Sequence, residues 1–291
     1  MSRNKVHAPL AQRRKRTALL FLLPAMVIFA VYVIYPILSS FCLSFYNWDG
    51  VTDKSWVGFA NYNELFHNPV FFTALKNNVL WLVLLMLAPP IGLAFALYLN
   101  QSVWGMRLVK SLFFSPFVLS GVVIGLIFSW FYDPAFGLLK LIVGHGIPVL
   151  GDEHYATFGI IFAALWPQVP FCMILYLTGL TGMNPEIIEA GRMEGAKGWT
   201  LLWHVVLPQL KSATFMSITL TVIGALRSFD LIAVMSGGGP YDSSTVLAYF
   251  MYDQSIKYFR FGYSAAIAVV LFLIMSVFIT YQLRRLLRSE S

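Results

Sequence analysis

Charged residues are scarce in this sequence. Only 11% of its 291 residues are Asp, Glu, Lys or Arg, whereas soluble domains carry about 25%. Because 58% of the residues are hydrophobic and the mean hydropathy is +0.73, too little charge remains to solvate the surface of a water-soluble fold. The deficit extends along the whole chain, so the composition predicts an all-α integral membrane protein that crosses the bilayer several times.

Cysteines and catalytic motifs are also scarce. Cys42 and Cys172 fall inside hydrophobic runs and predict neither a disulfide framework nor a metal site. The sequence has no G-x-x-x-x-G-K-S/T phosphate loop, no H-E-x-x-H metal motif and no G-x-S-x-G nucleophile elbow. We therefore predict no catalytic residue, no metal ligand and no cofactor bound by this chain, and no ATP binding through a phosphate loop.

Six apolar runs are long enough to cross a membrane, since a spanning helix needs about 20 mostly apolar residues. The first follows a basic cluster, as a signal peptide would, but it continues past Tyr35, beyond the apolar run of about 7–15 residues in a signal peptide. We interpret it as a retained span. The six predicted spans are about Thr17–Leu43, Val79–Leu99, Leu108–Phe131, Phe158–Gly179, Leu207–Met235 and Tyr263–Leu283.

Basic residues flank these runs and predict the orientation of the chain. The net charge is +7, but the basic residues do not interleave with exposed aromatics, so no nucleic-acid partner is expected. Most of them fall on the inner side if the N-terminus is cytoplasmic, which agrees with the positive-inside rule. Residues 1–16 are then a basic cytoplasmic N-terminus, residues 17–286 a six-span domain and residues 287–291 a cytoplasmic tail.

One polar stretch, from Asn184 to Gly198, lies between the fourth and fifth spans on the predicted inner side. Asn184 is a favourable N-cap and Pro185 suits the first helical position. At helical spacing, Gly191 and Gly195 share one face. Because glycine inside a helix costs about 1 kcal/mol relative to alanine, this pair predicts the close approach of another backbone, with Gly198 ending the helix. From the residues alone, a merely solvated loop helix is the alternative.

The same stretch carries a family signature. The residues E-A-G-R-M-E-G-A, from Glu189 to Ala196, and V-V-L-P, from Val205 to Pro208, resemble the E-A-A-x-x-x-G…I-x-L-P loop of the permease subunits of bacterial ABC importers. Three departures are conservative, because Gly191 replaces the second alanine, Val205 the isoleucine and Glu194 a frequent aspartate. The residues that match directly are Glu189, Ala190, Gly195, Leu207 and Pro208.

A second block is similar to the carbohydrate-uptake branch of these permeases, of the maltose and glycerol-phosphate type. It contains S-F-D-L-I from Ser228, S-G-G-G-P from Ser236, and Y-F-R-F-G-Y-S-A-A from Tyr258. The resemblance covers most of the chain from the first span onward. The fold it implies is a six-helix transmembrane bundle with a short cytoplasmic coupling helix, in the loop at about residues 184–207.

The resemblance also implies partners and a location. A permease of this family pairs with a second homologous permease, two cytoplasmic ATPase subunits that hold ATP and Mg, and an extracytoplasmic solute-binding protein that delivers a sugar-like substrate. The chain is then a non-catalytic subunit in the bacterial inner membrane with both termini cytoplasmic. Glu189, Ala190, Gly191, Gly195, Leu207 and Pro208 are the residues expected to couple it to an ATPase.

Two ionisable residues stand out at membrane depth, Arg227 and Asp230 in the fifth span. Such residues often line a transport path, but at i, i+3 spacing they could instead form a structural ion pair on one helix face. Phe229, Tyr249 and Tyr252 are further path candidates, because sugars offer apolar ring faces to aromatic side chains. The competing function is an ion-coupled secondary transporter, although charged residues on several spans would then be expected.

Overall fold

The computed structural model of the protein describes residues 8–101 and 103–290, and the side chains of 19–101, 103–282 and 284. These residues are mostly helical, and their strands form one two-stranded antiparallel hairpin of β1 (Tyr46–Asn47) and β2 (Ser55–Trp56). The helices of the N-terminal half are α1 Ala8–Phe29, α2 Tyr35–Leu43, α3 Ala60–His67, α4 Pro69–Leu85, α5 Ala88–Leu99, α6 Met106–Val118, α7 Gly121–Phe131 and α8 Leu138–Val143. Those that follow are α9 Ala156–Thr181, α10 Pro185–Met193, α11 Gly198–Leu201, α12 Leu207–Gln209, α13 Lys211–Leu226, α14 Asp230–Met235, α15 Leu247–Ile256 and α16 Phe261–Glu290.

The helical membrane bundle predicted from the sequence is confirmed. Within the described residues, four continuous stretches are long and apolar enough to span a membrane: Leu19–Leu43, Pro69–Leu99, Ala156–Thr181 and Phe261–Gln282. Two further pairs of helices qualify as bent spans, α6 with α7 at an angle of 95° and the segment 198–209 with α13 at 75°. With each bent pair counted as one span, the described residues contain six crossings, the number that the sequence predicts.

The second span begins ten residues earlier than predicted, at Pro69 instead of Val79. The polar residues Asn77 and Asn78 ended the apolar run in the sequence, but both are buried. The side-chain amide of Asn77 donates to the carbonyl oxygens of Ser243 (2.7 Å) and Thr245 (2.8 Å). Oδ1 of Asn78 accepts from the amide of Leu247 (2.9 Å). Both asparagines therefore satisfy backbone groups within residues 243–247, so the helix tolerates them in its interior.

The third and fifth spans are broken, which the apolar pattern did not indicate. The third bends where α6 ends after Pro116 and the side chain of Ser120 caps α7 by accepting from the amide of Val123 (3.3 Å). In the fifth, a π-helical segment at Leu202–Val206 precedes Pro208, because a proline has no amide to donate within the helix. The predicted helix at 207–235 is thus three pieces, α12, α13 and α14.

The helices pack closely where small residues meet. α5 lies along α9, and a side chain at Gly92 would place its Cβ only 2.6 Å from Cβ of Cys172. One core cluster lies around Trp81 and Ile160, and another around Ala96 and Tyr176. The first span is the exception, because none of the residues in Leu19–Leu43 is buried. Its second half touches α16, for example through the rings of Phe41 and Phe272 (5.6 Å).

Candidate functional site

The polar stretch after the fourth span forms the helix that the sequence predicted. α10 begins at Pro185, and the side-chain oxygen of Asn184 accepts from the amide of Glu186 (3.0 Å). Glu186 lies in the first turn and Arg192 in the last, so both charges complement the helix dipole. The cap and the dipole therefore stabilise α10 locally, while none of its residues is fully buried.

α10 ends in a Schellman motif three residues before the position expected from the sequence. The amide of Ala196 donates to the carbonyl of Gly191 and that of Gly195 to the carbonyl of Arg192, both at 3.0 Å. Gly195 has a φ of +91°, as the motif requires. The prediction that Gly195 shares a helix face with Gly191 is therefore wrong. Gly198 does not end this helix either, since it begins α11.

Gly191 is the glycine that does meet a neighbour. A Cβ there would lie 2.9 Å from Cγ2 of Val205 and 3.5 Å from Cδ1 of Leu201, whereas a Cβ at Gly195 would meet nothing within 4 Å. The close approach predicted for the pair thus holds for Gly191 alone, and it involves side chains of the following helical segment. Gly191 lets α10 rest directly on that segment.

The face of α10 opposite its contact with Val205 points away from the rest of the bundle. Glu189 and Ala190 are exposed, and the described residues show no ion pair to Glu189. Large apolar side chains nearby are exposed as well, with Met193 at 89% and Trp199 at 73%. Leu207 and Pro208, the remaining members of the predicted set, lie in α12. An acidic residue amid exposed apolar side chains is typical of a protein-binding surface.

Arg227 and Asp230 do not share a helix. α13 ends at Leu226, Arg227 is its C-cap, and α14 begins at Asp230. Both residues are exposed, and no salt bridge joins them in the described part of the chain. The predicted face with an i, i+3 pair is wrong for this reason. Asp230 instead lies against the start of α7, where a Cβ on Gly121 would be 3.0 Å from its Oδ2.

The three aromatic path candidates come together beside this break. The ring centroids of Phe229 and Tyr252 are 5.1 Å apart, and those of Phe229 and Tyr249 are 6.0 Å apart. Lys257 reaches the cluster, with its Nζ 3.1 Å from the Tyr249 hydroxyl and 2.6 Å from Oδ1 of Asp253. These two hydrogen bonds, the one to Asp253 first, raise the pKa of Lys257. The cluster combines stacking surface with polar groups.

Comparison with known proteins decides the family. Residues 88–289 match the model of the binding-protein-dependent transport system inner membrane component. The chain belongs to this permease family. It is 35% identical over 266 residues to the probable ABC transporter permease protein YurN of Bacillus subtilis, covering 88% of this chain and 90% of the relative.

Two further matches agree with this assignment. The permease is 32% identical over 269 residues to the multiple sugar-binding transport system permease protein MsmF of Streptococcus mutans, covering 91% of this chain and 93% of MsmF. Its fold superposes with a TM-score of 0.84 on the crystal structure of a bacterial ABC transporter that imports the acidic polysaccharide alginate. That match has 20% identity and covers 96% of this chain and 99% of the other. The resemblance to importer permeases is thus confirmed.

The permease also contains a polar contact that sequence reasoning missed. Nε2 of Gln168 in α9 donates to Oγ1 of Thr221 in α13 (2.9 Å), and Sγ of Cys172 lies 3.5 Å from the same hydroxyl. Gln168 is half-buried, whereas Thr221 is fully buried. A signal existed in the sequence, because Gln168 is an amide between Pro167 and Pro170 inside an apolar run. Polar contacts of this kind join helices in membranes.

Proposed function

We propose that this permease is the membrane-spanning subunit of an ATP-driven, binding-protein-dependent importer of a sugar or sugar-like solute. Membership of the importer family carries the proposal, and the name of the Streptococcus mutans relative supports sugars as the substrate class. The chain serves as a non-catalytic subunit in a bacterial inner membrane, with both termini in the cytoplasm. A solute-binding protein delivers the solute on the opposite side.

The exposed face of α10 is the proposed docking site for a cytoplasmic ATPase subunit, which holds the ATP and Mg. Glu189 and Ala190 lie on that face, while Gly191 packs α10 on the next segment and Gly195 ends it. Leu207 and Pro208 continue the chain toward α13. A displacement of α10 is therefore transmitted to the fifth span through a short helical connection.

Exposure of the first span supports a second permease subunit. Its apolar side chains, such as Phe21 at 82% and Tyr32 at 76%, are largely exposed, and every side chain from residue 19 to residue 36 is exposed. A row of exposed residues on α13, Met216, Leu220 and Gly224, leads to Arg227. A homologous subunit facing that row would enclose a path between the two chains. Arg227, Phe229, Asp230, Tyr249 and Tyr252 are its proposed outer lining.

A substitution at Glu189 tests the coupling role. If an ATPase subunit buries Glu189 against a basic residue, truncation of that paired charge should cost about 2–5 kcal/mol, so Glu189→Ala should weaken the coupling of ATP hydrolysis to uptake. Glu186→Ala is the matched control, since Glu186 is an exposed acid on the same helix. Normal uptake with substrate-stimulated ATPase activity in Glu189→Ala would contradict the assignment.

Asp230→Asn tests the path. If Asp230 contacts the solute, the apparent affinity for substrate should change in the complex reconstituted with its partners, while the melting temperature stays close to that of wild type. Unchanged transport would assign Asp230 to the support of α7. An ion-coupled transporter is distinguished by uptake that persists without ATP and collapses with the proton gradient.

A further inference from the structure

A cleft of about 770 Å³ opens between α5, the helical segment 198–209 and the start of α13. Its volume falls within the range of about 300–1,000 Å³ that is usual for small-molecule sites. Most of its walls are apolar, and they include Pro90, Leu93, Ala94, Leu97, Phe215 and Ile218. Two of the predicted coupling residues, Leu207 and Pro208, also line the cleft, but the apolar walls on α5 and α13 lie outside that set.

The polar groups of the cleft lie toward the end of the bundle that carries α10. Lys211 is the first residue of α13, whereas Phe215 and Ile218 follow one and two turns deeper. Trp199 and Trp203 belong to the segment that precedes α13, and both are largely exposed, at 73% and 61%. The cleft is therefore amphiphilic, with an ammonium group and two indoles at one end and hydrocarbon beyond.

The cleft does not open toward the proposed transport path. At 100° per residue, Phe215 and Ile218 lie on the opposite side of α13 from the exposed row of Met216 and Leu220, which leads to Arg227. A solute rich in hydroxyl groups also finds few partners among these walls. The cleft instead opens on the other side of α13, at the end of the bundle that carries α10.

We propose that the cleft binds an anionic phospholipid of the leaflet on the α10 side. An acyl chain lies along the apolar walls formed by α5 and α13, and the phosphate lies near Nζ of Lys211. Tryptophans prefer the headgroup level of a bilayer, and basic pockets between helices on the cytoplasmic side bind anionic headgroups. The order of side chains along the cleft matches the order of groups along such a lipid.

The test is native mass spectrometry of the full-length permease, purified with its partner subunits and exchanged into nanodiscs of phosphatidylglycerol and phosphatidylcholine. Wild type should retain phosphatidylglycerol. Ala94→Trp, which fills the cleft, should lower the retained lipid at least tenfold, whereas Val83→Trp, at an exposed site on α4 outside the cleft, should not. Retention that is absent in wild type, or equal in wild type and Ala94→Trp, would overturn the proposal.

A milder variant separates lipid binding from folding. Lys211→Gln should lower the preference for phosphatidylglycerol over phosphatidylcholine about fivefold, which corresponds to the attraction of about 1 kcal/mol per basic residue near an anionic surface. Arg107→Gln removes a charge at an exposed site in α6 and should leave the preference unchanged. Equal preference in the two variants would refute the phosphate contact. Loss of the second permease from Ala94→Trp, without loss of lipid, would show that the cleft is a subunit interface instead.

Discussion

Replacing Gly191 with alanine sets two effects against each other. Alanine is about 1 kcal/mol more favourable than glycine inside a helix, and alanine is also the residue of the family motif. However, the new Cβ would lie 2.9 Å from Cγ2 of Val205, and overpacking of this kind typically costs about 1–3 kcal/mol. Val205 cannot turn away easily because β-branched side chains are stiff at χ1. We expect the substitution to destabilise the packing of α10 against Val205 by up to about 2 kcal/mol.

Hydrogen exchange of the amides in residues 187–196 measures this change in the detergent-purified protein. Gly191→Ala should accelerate exchange by up to about 30-fold, since each 1.4 kcal/mol corresponds to a factor of ten. In a Val205→Ala background the clash is removed and only helix propensity remains. There the same substitution should slow exchange by about fivefold, so its effect should change sign.

A control isolates helix propensity. Ala190 is exposed on the same helix, so Ala190→Gly should accelerate exchange by about fivefold whether or not Val205 is present. The reasoning fails if Gly191→Ala slows exchange in the presence of Val205, because α10 would then not rest on that side chain.

Four further outcomes are expected. Asn184→Ala removes the cap of α10 and should cost about 0.5–2 kcal/mol, seen as faster exchange in its first turn. A Cβ at Gly195 would meet no neighbour, but the backbone there is left-handed. Gly195→Ala should therefore cost about 1–2 kcal/mol, seen as faster exchange in the last turn of α10, and an unchanged exchange rate would refute the Schellman motif. Asn77→Ala removes the side-chain donor to the Thr245 carbonyl and leaves the Ser243 carbonyl with only the Thr157 hydroxyl. At about 1–3 kcal/mol for a group left unsatisfied, it should lower the melting temperature, unlike Asn100→Ala, which alters an exposed site. The pKa of Lys257 is raised in the folded protein, so its ion pair with Asp253 stabilises the fold fully at any pH below the ordinary pKa of lysine. This stability is lost only as the pH rises through the higher pKa of the folded state. The difference in melting temperature between wild type and Lys257→Met should therefore be constant from pH 6 to 9.

Sequence patterns predicted what depends on local chemistry. Asn184 and Pro185 located the start of α10 because a cap acts within one turn. Apolar length located the fourth and sixth spans to within a few residues at their N-terminal ends. The motif from Glu189 to Ala196 led to the family, which the comparisons confirmed. The roles of individual residues in coupling and in the path stay predictions.

Features that depend on tertiary contacts were missed. Asn77 looks like an end of the second span because its partners lie far along the chain, in the loop at 243–245. The break between Arg227 and Asp230 contains neither glycine nor proline, so its sequence continues the helical pattern. Likewise, Gly191 and Gly195 cannot be told apart by residue type. Only the fold shows that Gly191 makes room for Val205, whereas Gly195 adopts the left-handed backbone that ends α10.

The exposure of the first span has a consequence for the order in which the importer assembles. A helix that relies on no neighbour within its own chain can enter the bilayer and remain there by apolar length alone, and membrane helices commonly insert before they associate. Residues 19–36 approach this condition, since all of their side chains are exposed, and the contacts with α16 lie further along the span, in α2. The other spans can therefore pack around their own cores before this segment gains a neighbour, and if a second permease subunit covers it, as proposed, that subunit can bind late without reopening the bundle.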